Sequence, residues 1–162
     1  MSETRYGSRR PPASSETPTL EPAAACDALV LLAQMVHYTI SIDSTCLLLV
    51  AKRTAAPFER VSQIRDCFAA IQAVLASVPR SRFNLLVDTR AGPSRNDATF
   101  ESVMSEERGK LLFGFAKNAA LAATAAVRLQ IQRYAKIDRR VVFVTDSPAA
   151  AFASLGLPLH RF

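Results

Sequence analysis

Apolar runs separated by polar, Pro- and Gly-bearing breaks divide the chain into strand-like and helix-like segments. Residues 23–36 are rich in Ala and Leu, with Asp27 and Gln34 seven apart, and read as a short, mostly buried helix. Residues 37–42 alternate, with Tyr38, Ile40 and Ile42 on one side and Thr39 and Ser41 on the other, as a half-buried strand does. Asp43-Ser44 suits a tight turn. Residues 45–51 form a continuous apolar run, a strand buried on both faces, and Lys52-Arg53 returns the chain to water. Pro57 fits the first turn of a helix whose stripe runs Phe58, Val61, Ile64, Phe68, Ile71, Leu75 and Val78, closed by Pro79.

The next stretch, residues 82–101, reads as a buried strand ending in Asp88, a polar Gly/Pro loop, and a helix capped by Asp97. Phe100, Met104, Leu111, Leu112 and Phe115 give that helix its apolar face, and Gly114 invites a break. Residues 118–134 are ambiguous. Propensity favours one long helix, whereas the alternative is a small-residue strand over 119–124 and a helix over Ala125–Ile137. Residues 141–145 form an apolar strand. Asp146-Ser147-Pro148 then starts a last helix, stopped by Gly156 and Pro158. Alternation of strands and helices argues an α/β fold, a mixed β-sheet of four to five strands flanked by helices.

Composition sets the limits. Of 162 residues, 49% are apolar and 21% charged, which suits one globular domain over 23–162. Residues 1–22 are rich in Ser, Thr, Pro and Glu and read as a disordered tail. Arg5, Arg9 and Arg10 cancel Glu3, Glu16 and Glu21, so the net charge of +6 belongs to the body. Its basic residues are scattered without aromatic interleaving, which argues against nucleic acid. No stretch reaches the ~20 apolar residues of a membrane-spanning helix. Cys26, Cys46 and Cys67 are odd in number, distant and set in apolar contexts, suiting reduced thiols in a cytoplasmic protein.

The sequence carries no phosphate loop, dinucleotide fingerprint, nucleophile elbow, zinc-ligand spacing or other cofactor signature. His37 and His160 have no acid or nucleophile nearby in sequence and suit surface or edge roles. Glu106-Glu107 beside Arg108 and Lys110 reads as a solvated, salt-linked face. The candidate site is the loop 88–97, because sites of α/β sheets gather past the carboxyl ends of strands. Arg90 and Arg95 can clamp a phosphate or carboxylate through forked guanidinium groups. Thr89 and Ser94 are candidate phosphoacceptors. The plainer reading is an ordinary connection, with Asp88 holding turn N–H groups and both arginines solvated.

In LLVDTRAGPSRNDATFE, the T-A-x-x-R-L-Q-x-x-R segment and the final A-A-x-x-x-L-G, the chain resembles the SpoIIAA-like branch of the STAS superfamily (sulphate transporter and anti-sigma factor antagonist), also grouped with SEC14-type domains. The resemblance covers 37–157. It implies a mixed sheet flanked by helices and a non-enzymatic regulatory module that binds a protein partner around the loop, through Asp88, Thr89, Arg90 and Arg95. It also implies a strand at 119–124 followed by a helix. Where antagonists of this type place a phosphorylatable Ser at the helix start, this chain has Asp97, with Thr89, Ser94 and Thr99 nearby. The alternative is a carrier of a small molecule or lipid, with an apolar pocket between sheet and helices and an arginine holding an anionic head group. A third reading makes Asp88 a general base, which requires a second ionisable group beside it in a closed pocket.

Overall fold

The structure, a computed structural model, describes residues 29–95, 97–137 and 139–159. Its elements run β1 (Val30–Gln34), β2 (Tyr38–Asp43), β3 (Leu48–Arg53), α1 (Val61–Val74), β4 (Asn84–Asp88), α2 (Ala98–Leu112), β5 (Asn118–Leu121), α3 (Ala125–Ile137), β6 (Phe143–Thr145) and α4 (Pro148–Leu155). The six strands form one mixed sheet in the order β1-β2-β3-β4-β5-β6. The first three are antiparallel, and β3 to β6 run parallel.

That topology decides which side each helix covers. Successive right-handed crossovers along a parallel run place their helices on one face. Accordingly α1 and α2 pack on Ile40, Leu49, Ala51, Leu85 and Val87, while Ile131 of α3 meets Ala120 and Val144. On the opposite face α4 covers Leu48, Val50, Leu86, Ala119 and Leu121 with Ala151, Phe152 and Leu155. Both faces of β3 and β4 are therefore buried, as their continuous apolar runs require.

The expected mixed α/β sheet flanked by helices is what forms. Propensity alone misleads at two places. Residues 30–34 are an exposed edge strand and not a buried helix, while residues 23–28 lie outside the described residues. Val30 to Gln34 pair with β2 through a register shift between Leu31 and Ala33, so sheet pairing overrides local preference. The same override makes Asn118–Leu121 a strand, because its small side chains fit between neighbouring strands with α4 on one face and α3 on the other.

Several ends follow capping chemistry. The Asp97 carboxylate accepts from the Phe100 N–H at 3.0 Å, and the Ser147 hydroxyl from the Ala150 N–H at 3.3 Å. Gly156 closes α4 at φ 76°, and Gly114, at φ 89°, follows the end of α2. The turn after β2 spans Ser44 to Leu47, longer than a two-residue hairpin, with Asp43 accepting from the N–H groups of Thr45 and Cys46. Helix α1 starts at Val61, four residues after Pro57, where Gln63 accepts from the N–H groups of Glu59 and Arg60. Cys46 is disulfide-bonded, which corrects the expectation of three reduced thiols, and Cys67 is a free, buried thiol. No helix among the described residues is long and apolar enough to cross a membrane.

Candidate functional site

Strand β4 carries Asp88 out of the core and into the loop, and each loop residue then has a distinct place. Asp88 is buried, and alternation along the strand turns it toward the α4 face of the sheet. It accepts from the Arg90 backbone N–H at 3.1 Å, from Nε at 2.9 Å and from Nη2 at 2.8 Å. Burial pushes the Asp88 carboxyl up, but the Arg90 hydrogen bonds and charge outweigh it, so the group lies below the usual carboxylate range. Arg90 is thus held within the loop.

Arg95 turns the other way. Its Nε donates to Asp97, its Nη1 to the Phe58 carbonyl at 2.8 Å, and its guanidinium lies 5.0 Å over the Phe100 ring. The Thr89 hydroxyl donates to the Leu121 carbonyl at 2.7 Å, tying the loop to β5. Ser94 is exposed. The structure therefore does not bring Arg90 and Arg95 together as one clamp, because each guanidinium is engaged by a different neighbour.

Beneath the loop lies a cavity of about 130 Å³, between the sheet and helices α2 and α3. Thr89, Gly92, Pro93, Ser94 and Arg95 roof it. Val87 and Ala120 form its floor, and Met104, Leu111, Val127 and Ile131 its helical walls. Its polar lining includes Tyr38, Arg53, Arg108, Gln130 and Tyr134. Three arginines face it, Arg53, Arg95 and Arg108, and no Asp or Glu among the described residues does.

Arg53 ends β3 and is only 6% exposed, which corrects the expectation that Lys52-Arg53 returns to water: only Lys52 does. Its Nη1 donates to the carbonyls of His37 at 2.8 Å and Thr54 at 3.2 Å, and its Nη2 to Ala56 at 2.7 Å. The guanidinium lies 4.4 Å over the Phe58 ring and 5.5 Å over that of Tyr38. Among the described residues no carboxylate pairs with it. Burial accordingly lowers its proton affinity, partly opposed by Tyr38 and Cys67. Gly92 makes this packing feasible: a Cβ there would fall 2.7 Å from the Arg53 Cγ.

Tyr38 stands directly across the ladder from Arg53 and is 4% exposed. Its hydroxyl makes no hydrogen bond among the described residues, and burial pushes its pKa up to about 12. Arg108, on α2, donates to the Ile131 carbonyl and lies 4.9 Å over the Tyr134 ring. Gln130 joins the Glu101 carboxylate to the Tyr134 hydroxyl.

The remaining sequence candidates fall elsewhere. His37 is buried, its ring tilted against that of Phe58 at 4.0 Å and bonded to the Ala56 carbonyl, in place of the expected surface or edge role; His160 lies outside the described residues. Glu106 is exposed while Glu107 is buried, and Lys110 bridges both. Asp88 does not line the cavity, so no pair of ionisable groups for acid–base work gathers around it there. The described residues include no metal-binding group of His, Cys, Asp and Glu.

Sequence reasoning passed over Arg53, Arg108 and Tyr38 as site residues. One signal was present: strand alternation puts Arg53 on the same face as Leu49 and Ala51, beneath the helices. No family model, curated protein or solved structure matches the chain.

Proposed function

We propose that this chain is a non-enzymatic binding module that takes a small amphiphilic ligand between its sheet and helices α2 and α3. One observation carries the reading: an apolar cavity beneath the loop after the central strand, lined by the buried cation Arg53, which pairs with no described carboxylate. Apolar walls favour an apolar body, and a low-polarity enclosure strengthens the attraction of Arg53 for negative charge. A ligand that touches Gly92 to Arg95 would also fix the loop's outer surface.

That coupling supports a second reading, in which the loop is read by a protein partner, as the STAS-like resemblance implies. The observation favouring it is the exposure of Ala91, Pro93 and Ser94 on the loop. Ser94 is the more accessible phosphoacceptor, since the Thr89 hydroxyl is bonded to Leu121. Equal binding of a captured partner by Ser94→Ala and Ser94→Asp would remove Ser94 from this reading. Among the described residues, a cytoplasmic location loses the argument from reduced thiols at Cys46 and keeps it at Cys67.

The test of the first reading is extraction of purified protein followed by mass spectrometry, on the wild type and on Ala120→Leu. Leucine at 120 fills the cavity from its floor. A small compound at near one per chain in the wild type, lost from the variant, is the expected result. Equal amounts in both proteins would contradict it.

A further inference from the structure

Resting on the proposed ligand-binding reading, we infer that the cavity selects a compact carboxylate, an aromatic or branched acid, with its charge between Tyr38 and Arg53. The small volume favours such acids over long-chain lipids. The cavity holds about 130 Å³, close to the ~150 Å³ cavity that admits benzene. A fatty acyl chain of membrane length needs several times that space.

Unused polar groups point the same way. Arg53 is a buried cation held by neutral carbonyls, the Thr54 hydroxyl and two aromatic faces, and burying a charge without a counter-charge is costly. Its Nε–H makes no hydrogen bond among the described residues and sits beneath Gly92, 3.6 Å from where a Cβ there would stand. The Tyr38 hydroxyl is likewise without a hydrogen bond among the described residues, and it belongs to a residue 96% enclosed. Tyr38 and Arg53 both line the cavity from neighbouring strands, and one carboxylate has an oxygen for each donor. A carboxylate placed there supplies the missing counter-charge and satisfies both donors.

The rest of the lining suits a short, flat body. Val87, Ala120, Leu111 and Ile131 are apolar, and Ala120 leaves room above the sheet that a larger side chain would take.

The experiment is isothermal titration of the full chain with benzoate, toluene and palmitate, and of Tyr38→Phe with the first two. Benzoate is expected to bind the wild type at least about tenfold more tightly than toluene, as a charge-assisted hydrogen bond warrants. Tyr38→Phe should weaken benzoate by about three- to tenfold and leave toluene unchanged, which separates a lost donor from a lost fold. Palmitate should bind more weakly than benzoate. Toluene binding as tightly as benzoate would overturn the carboxylate seat while leaving the cavity reading standing. Tighter palmitate binding would overturn the size argument, and binding of none of the probes would overturn both the inference and the reading beneath it.

Discussion

Removing the Arg90 side chain tests how the loop is held. Asp88 is buried with three hydrogen bonds from Arg90, and Arg90→Ala deletes the two made by the guanidinium, at 2.9 and 2.8 Å. A hydrogen bond to a charged group contributes about 1.5–3 kcal/mol, and the loss leaves a buried carboxylate with only a backbone N–H. The Arg90 side chain is 35% exposed, so solvent screening discounts the pair, and a destabilisation of about 1–3 kcal/mol is expected at pH 7. Asp88 in the wild type has a depressed folded pKa. Its contribution is therefore present above the ordinary value of 3.8 and is lost as pH falls through the lower folded value. In the variant burial acts with less opposition, so the carboxyl rises and its penalty disappears on acidification. Urea denaturation of both proteins from pH 7 down to pH 3 should show a gap that is widest at neutral pH and narrows as pH falls through the variant's raised carboxyl pKa toward the lower wild-type value. A gap under ~0.5 kcal/mol at pH 7, or one unchanged across the range, would refute the reasoning.

Gly92→Ala sets a methyl group 2.7 Å from the Cγ of an arginine pinned by its own hydrogen bonds, and should cost about 1–3 kcal/mol by urea denaturation. An unchanged midpoint would contradict the packing of Gly92 on Arg53. Tyr38, raised to about 12, should ionise above the ordinary phenol range, as the difference in ultraviolet absorbance between wild type and Tyr38→Phe reads out. Because its folded pKa exceeds the unfolded value of 10.0, stability is unaffected below pH ~10 and falls by roughly 2–3 kcal/mol as pH rises toward 12. A slope that persists in Tyr38→Phe would assign the loss to another group.

The mixed α/β architecture was legible because apolar periodicity and caps speak locally: Asp97, Ser147 and Gly156 each sit where their chemistry places a helix end. The elements that misled are those decided by distant partners. Leu31 and Leu32 favour a helix until β2 offers a ladder, and Ala119 and Ala120 do so until strands flank them. The loop after β4 could be located from sequence, since strand, turn and cap residues follow one another. What lies beneath it could not. The turn Ser44 to Leu47 sets the register that brings Arg53 opposite Tyr38, and a shorter turn would have paired Tyr38 differently. Arg53 is then drawn inward by carbonyls of His37, Thr54 and Ala56, which no periodic pattern reveals. Arg90 and Arg95 look alike in the sequence, yet Asp88 captures one while Asp97 and the Phe58 carbonyl capture the other.

The most direct test of the cavity as the working site is an amide-resolved NMR titration of the full chain with benzoate. Saturable shifts are expected, centred on Thr89, Gly92, Ala120 and Ile131, which line the cavity. Shifts confined to the exposed surface at Phe113 and Val141, with those four amides unmoved, would contradict it.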